Sequence, residues 1–166
     1  DADSVVDSLN PNDNITFASG VSLNSATSIS LSAITGGMTA AAGLTLTAPT
    51  SIETTGNLTA AGAVSLTANS GIKLNSAITT SSGDLTINAN SSVLELASGV
   101  TLSSAGALSL SASNTTSAGA LTLTSTGSTI NVDNALVSQG DVTMTANSGL
   151  TLSNSTLTAT GNIKLQ

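Results

Sequence analysis

Apolar and polar residues alternate along this chain in short bursts. Val64/Leu66, Leu85/Ile87, Leu121/Leu123 and Val142/Met144 each place two apolar side chains two residues apart, with Ser or Thr between them. In an extended strand that spacing turns the apolar pair to one side and the hydroxyl to the other. A second burst follows each of these, at Ile72/Leu74, Leu94/Leu96, Ile130/Val132 and Leu150/Leu152, and then a shorter third at Ile78, Val100/Leu102, Leu136 and Leu157. No helical spacing separates them. The pattern predicts units of three short strands with three inward faces.

Glycines punctuate the bursts. Gly43, Gly62, Gly83, Gly106, Gly119, Gly140 and Gly161 stand at intervals of 19, 21, 23, 13, 21 and 21 residues, and the segments 62–79 (GAVSLTANSGIKLNSAIT) and 140–157 (GDVTMTANSGLTLSNSTL) are nearly the same sentence. A unit of about 20 residues made only of short strands cannot bury its own apolar side, and does so by stacking on copies of itself. The expectation is an all-β, roughly triangular β-solenoid of about 7–8 coils over residues 20–166. Residues 1–19 are expected to form a separate N-terminal segment, either a cap or an inter-subunit strand. The interval from Gly106 to Gly119 is too short for a coil, so the register within 83–118 stays open, with division at Gly99 as one alternative. The stretch 20–42, with Val21/Leu23, Ile29/Leu31 and Ile34, fits coils of looser length.

Asn69, Asn90 and Asn147 each sit five residues after the first inward position of a unit, where Asn tolerates left-handed backbone and can bond its own chain. Stacked coils would align them as an Asn ladder. On the outward side, Thr45/Thr47, Ser65/Thr67, Thr86, Thr122/Thr124 and Thr143/Thr145 suggest a two-column hydroxyl array, with roughly 6.6 Å between columns and 4.8 Å between coils. Such an array would suit an ice-binding or crystalline-surface-binding solenoid, or lateral packing of fibres; equally, Thr is a good strand former on a solvated face.

The two ends depart from the repeat. The segment GNIKLQ over 161–166 reads as the first strand of a further coil, while 1–14 carries Asp1, Asp3 and Asp7, the apolar Val5, Val6 and Leu9, and Pro11. An incomplete coil at one end and an unmatched apolar segment at the other suggest head-to-tail joining, which gives open filaments when the rotation does not close. Val5, Val6, Leu9, Ile15 and Phe17 would meet Ile163 and Leu165 of a neighbour. The alternative is a shaft fragment excised from a large secreted adhesin.

Composition narrows the function. Ser and Thr make up about a third of the chain; Phe17 is the one aromatic; Cys, His and Arg are absent; Lys73 and Lys164 are the only cations, and the net charge is −7. A thin solenoid interior needs stacked Leu, Ile, Val and Ala, so the scarcity of aromatics follows from its shape. Without a basic stripe, nucleic acid and anionic lipid would be repelled. No apolar run approaches the ~20 residues of a membrane span. Of the acids, only Asp84 and Asp141 follow repeat glycines, in coils that are not adjacent, and no His, Arg, Tyr or Cys stands by as base, nucleophile or charge clamp. Catalysis is not expected. Neither a metal nor a cofactor is expected: Gly36-Gly37 leads into Met38-Thr39 and not into an Asp-bearing calcium turn.

The succession GLTLT, ANSG and GDLTINA resembles the filamentous haemagglutinin type of repeat found in large exoproteins and adhesins of two-partner secretion, over most of residues 20–165. The resemblance implies a right-handed parallel β-helix used as the shaft of a surface fibre. The expected function is a structural subunit or shaft of an extracellular or cell-surface fibre of a microbe, for adhesion, cell-to-cell contact or matrix scaffolding. Its expected partners are itself, other fibres at its side, or a cell-surface receptor.

Overall fold

The computed structural model describes residues 14–166, and every regular element among them is a strand. The first four coils hold three strands each: β1 (Ile15–Phe17), β2 (Val21–Asn24) and β3 (Ile29–Ser32); β4 (Met38–Ala40), β5 (Leu44–Ala48) and β6 (Ser51–Thr55); β7 (Leu58–Ala60), β8 (Val64–Ala68) and β9 (Gly71–Leu74); β10 (Ile78–Thr80), β11 (Leu85–Asn88) and β12 (Val93–Leu96). The fifth coil is β13 (Val100–Ser104) with β14 (Leu108–Ser117), and the sixth β15 (Leu121–Ser125) with β16 (Thr129–Ser138). In both, one ten-residue strand runs on through the second and third faces. β17 (Val142–Ala146), β18 (Gly149–Ser153) and β19 (Leu157–Ala159) make the seventh coil, and β20 (Ile163–Leu165) opens an eighth.

Coil stacks on coil about 21 residues on, through parallel pairing on all three faces, so the chain is a β-solenoid of about seven turns. Face 1 is β1-β4-β7-β10-β13-β15-β17-β20. Face 2 carries β2, β5, β8, β11, the first halves of β14 and β16, and β18; face 3 carries β3, β6, β9, β12, the second halves of β14 and β16, and β19. At about 4.8 Å per coil the described rod is on the order of 34 Å long.

The core is a set of columns. On face 1, Ile15, Met38, Leu58, Ile78, Leu102, Leu123, Met144 and Leu165 lie in register. On face 2, Leu44, Val64, Leu85, Leu108, Ile130 and Leu150 do the same. Each fully buried Leu, Ile or Val contributes about 1.5–3 kcal/mol, and in a column every side chain has like neighbours above and below. At the corners the inward residue is often Ser. Ser104 Oγ donates to the Ala107 carbonyl at 2.9 Å, Ser125 Oγ to that of Gly106 at 2.7 Å and Ser138 Oγ to that of Gly119 at 2.7 Å. These bonds satisfy turn carbonyls that the ladders do not reach.

The register corrects the alignment of the repeats. Leu121/Leu123 and Val142/Met144 do not stack on Val64/Leu66 and Leu85/Ile87; they continue the face-1 column of Ile78 and Leu102. Ile130/Val132 and Leu150/Leu152, which read as second strands, stack on Leu85/Ile87 through Leu108/Leu110. The seven glycines therefore fall at two corners. Gly43, Gly62, Gly83 and Gly106 precede face 2, whereas Gly119, Gly140 and Gly161 precede face 1. The interval of 13 is the walk from one corner to the other across faces 2 and 3. Two smaller differences stand at the start: β1 pairs with β4, so the solenoid reaches back to Ile15 within the expected N-terminal segment, and Ile34 is exposed instead of inward.

Candidate functional site

The outward side chains of face 1 form one unbroken column. Thr16, Thr39, Thr59, Thr79, Ser103, Thr124 and Thr145 lie in register over seven coils, and Thr39 Oγ1 lies 3.4 Å from Thr16 Oγ1. A second column, Thr101, Thr122 and Thr143, flanks it in the later coils before Lys164 interrupts it. The hydroxyl array expected from sequence is thus divided: Thr122, Thr124, Thr143 and Thr145 belong to face 1, while Thr45, Thr47, Ser65, Thr67 and Thr86 line face 2. On face 2 the array gives way to Asn88, Asn131 and Asp133. Of the missed members, Thr16, Thr39, Thr59 and Thr79 lie on short strands with few flanking apolar residues to mark them, while Thr101 and Ser103 flank Val100/Leu102, which read as a third strand and not as part of this face.

The Asn ladder has two rungs. Asn90 Nδ2 donates to Asn69 Oδ1 from the next coil and to the Ala68 carbonyl at 3.2 Å. Asn90 has φ of 48°, the left-handed geometry expected there, and its N–H is accepted by Asn88 Oδ1 at 2.8 Å. Asn147 lies elsewhere, in the corner after β17, where its N–H donates to the Ser125 carbonyl. The same shift of face that divides the glycines removes it from the ladder.

A charged column went unnoticed in the sequence because its members are one coil apart. On face 3, Glu53, Lys73 and Glu95 occupy successive coils in register, beside a shallow groove also lined by Val93. Lys73 Nζ is 3.1 Å from Glu53 Oε1, and Asn75 Nδ2 donates to the same oxygen at 2.9 Å. The Asn75 amide first and the Lys73 ammonium second hold the Glu53 carboxyl below its ordinary value, against a smaller opposing effect of burial. The groove is open and the side chains half exposed. Asp84 and Asp141 do not meet: each bonds a backbone N–H of the next coil, Ala107 and Asn162 respectively. Among the described residues no three acidic, His or Cys side chains gather as a metal site, and no helix is long and apolar enough to cross a membrane.

The residues expected at a joint between copies are placed as follows. Ile15 packs half-buried at the start of the face-1 column, and Phe17 is buried. Ile163 and Leu165 are 46% and 48% exposed, as is the neighbouring Leu152 at 37%, although all three stand in inward columns. β18, β19 and β20 each have a partner strand on one side among the described strands. Val5, Val6 and Leu9 lie outside the described residues. Comparison with protein-family models, with curated proteins and with solved structures gives no match to the chain.

Proposed function

We infer that this chain is a structural element of an extracellular or cell-surface fibre of a microbe, serving adhesion, cell-to-cell contact or matrix scaffolding, and that copies join head to tail by completing the solenoid between them. One observation carries the reading. Seven coils stack in parallel register along continuous inward columns, with the same neighbour relation repeated from coil to coil. Such a stack is extended by adding further coils of the same kind, as a fibre requires. The stacked coils and the small, weakly charged side chains also suit the shaft of a filamentous haemagglutinin-like exoprotein, the finer kinship proposed here, with the right-handed coil that it implies. The role is mechanical, without catalysis, cofactor or nucleic acid.

The test is electron microscopy of the purified chain after dilution from denaturant. Uniform filaments are expected. Short monodisperse rods would sink self-assembly and leave the excised adhesin shaft. A second reading, adsorption to ice or another crystalline surface, is favoured by the face-1 column of six Thr and one Ser; an ice-shaping assay decides it.

A further inference from the structure

We propose that face 3 is a contact between copies: two rods lie side by side and antiparallel, about a twofold axis that runs along the strands between coils three and four. Lys73 of each copy then meets Glu95 of the other, and Val93 of each enters the notch over Gly71 of the other. The contact lies on the flank of the rod and stands apart from head-to-tail joining.

Charge points to this face. Among the described strands, face 3 is the one that carries both signs outward, with Glu53, Lys73 and Glu95 on coils two, three and four; face 1 carries Lys164 and face 2 carries Asp133. Lys73 is paired with Glu53, whereas Glu95 is exposed and has no ion pair among the described residues. Shape points to the same coils. The outward column ahead of the charges reads Ser51, Gly71, Val93 and Asn114, and the groove there is lined by Gly71 and Val93. A coil with no side chain at that position therefore stands next to one with a branched apolar side chain.

The two features are locked together. Gly71 and Lys73 lie two residues apart on one coil, and Val93 and Glu95 two residues apart on the next. A twofold axis along the strands exchanges neighbouring coils and keeps position along the strand, so it matches apolar knob to notch and cation to anion at once, each twice. Glu53 then faces Thr116 of the other copy and Ser51 faces Asn114, so no like charges meet. Sheets packed face to face stand about 10 Å apart, a gap that a lysine and a glutamate span together. Parallel rods in register would set Glu53, Lys73 and Glu95 each against itself. An axis between coils two and three would match Glu53 to Lys73 but leave Glu95 opposite Ser30.

Coils one to six overlap in this arrangement. A patch about 29 Å by 16 Å on each copy amounts to on the order of 900 Å² in all, below the roughly 1,200 Å² at which stable complexes begin. Two isolated rods therefore pair weakly, while rods linked into a fibre repeat the contact and pair firmly.

The test uses Lys73→Glu and Glu95→Lys. Each variant alone sets like charges together on both sides of the axis, but a pair made of one copy of each regains both ion pairs. Sedimentation equilibrium at up to about 1 mM, where a contact of this size is populated, compares the unaltered chain, each variant and their equal mixture. If the chain forms filaments, those of each variant are grown separately, mixed, and scored for side-by-side pairs in micrographs. The unaltered chain should pair, each variant should pair about tenfold more weakly or worse, and the mixture should recover. An unaltered chain that stays single, a lone charge variant that pairs as well as the unaltered chain, or a mixture that stays apart overturns the contact. Val93→Ser covers the case in which charge reversal harms the fold: it should also weaken pairing, and undiminished pairing overturns the register. None of these outcomes depends on whether rods join end to end.

Discussion

The carboxylate of Asp84 accepts the backbone N–H of Ala107, one coil on, at 2.8 Å, and Asp141 does the same for Asn162 at 2.7 Å. Each carboxylate occupies the space that a Cβ on Gly106 or Gly161 would need. The Gly-Asp pair of the repeat is therefore an inter-coil device: the Asp of one coil caps a turn that only Gly lets approach.

Gly106→Ala should destabilise the rod by about 1–3 kcal/mol, because the new methyl meets the Asp84 carboxylate and the backbone of Gly83. At about 2–4 °C per kcal/mol, thermal melts resolve that loss. In the double variant Asp84→Ala/Gly106→Ala part of the collision is gone, so the two effects should sum to more than the measured loss. Simple additivity would show that the carboxylate is not what the methyl strikes.

Asn90 holds φ at 48° without being glycine. Asn90→Gly and Asn90→Ala both remove the bond to Asn69, but only Ala also resists the left-handed backbone, at about 1–2 kcal/mol. Urea unfolding should rank Ala below Gly by about that amount; equal midpoints would mean that the backbone relaxes.

Asn134 is a buried amide at a corner where earlier coils carry Ala48, Ala68 and Ala89. Its Nδ2 makes one long bond, 3.5 Å to the Leu110 carbonyl, and its Oδ1 has no protein partner. Leaving such an oxygen unpaired costs about 1–3 kcal/mol, so Asn134→Ala should leave the rod as stable as before or raise its melting temperature. A large loss would show that the amide is well satisfied at that corner.

For Glu53 the sign of the pH effect follows from a carboxyl held low in the folded chain by Asn75 and Lys73. Its contribution is present above the pKa of the unfolded chain and disappears as pH falls through the lower folded value. Glu53→Gln should cost under about 1 kcal/mol near neutrality, since the ion pair is about half exposed. In acid, below the folded pKa of Glu53, the two chains should melt together; a gap that persists there would assign the effect to packing.

Much of the architecture was legible in the amino acids. Inward residues such as Leu66, Ile72, Leu85 and Leu94 are named by period-two alternation, and they are buried. The shift of face between Gly106 and Gly119 was not, because segments 62–79 and 140–157 use the same words at different corners. Any corner that needs a close approach accepts Gly, and any face accepts Val or Leu two residues apart, so local vocabulary carries no label for the face. Only the pairing of Leu121 with Val100, and not with the Leu85 column, reveals it. The Asn ladder and the hydroxyl array failed at the same place: Asn147 and Thr143 inherit the error of the coil in which they were counted.

The strands lie across the rod and their hydrogen bonds run along it. Tension applied between the ends therefore loads those bonds one coil after another, as a zipper does, and not many at once in shear. A single stretched rod would pay out in steps of one coil, each releasing about 70 Å of extended chain, so the solenoid would lengthen under load long before its last coil opened.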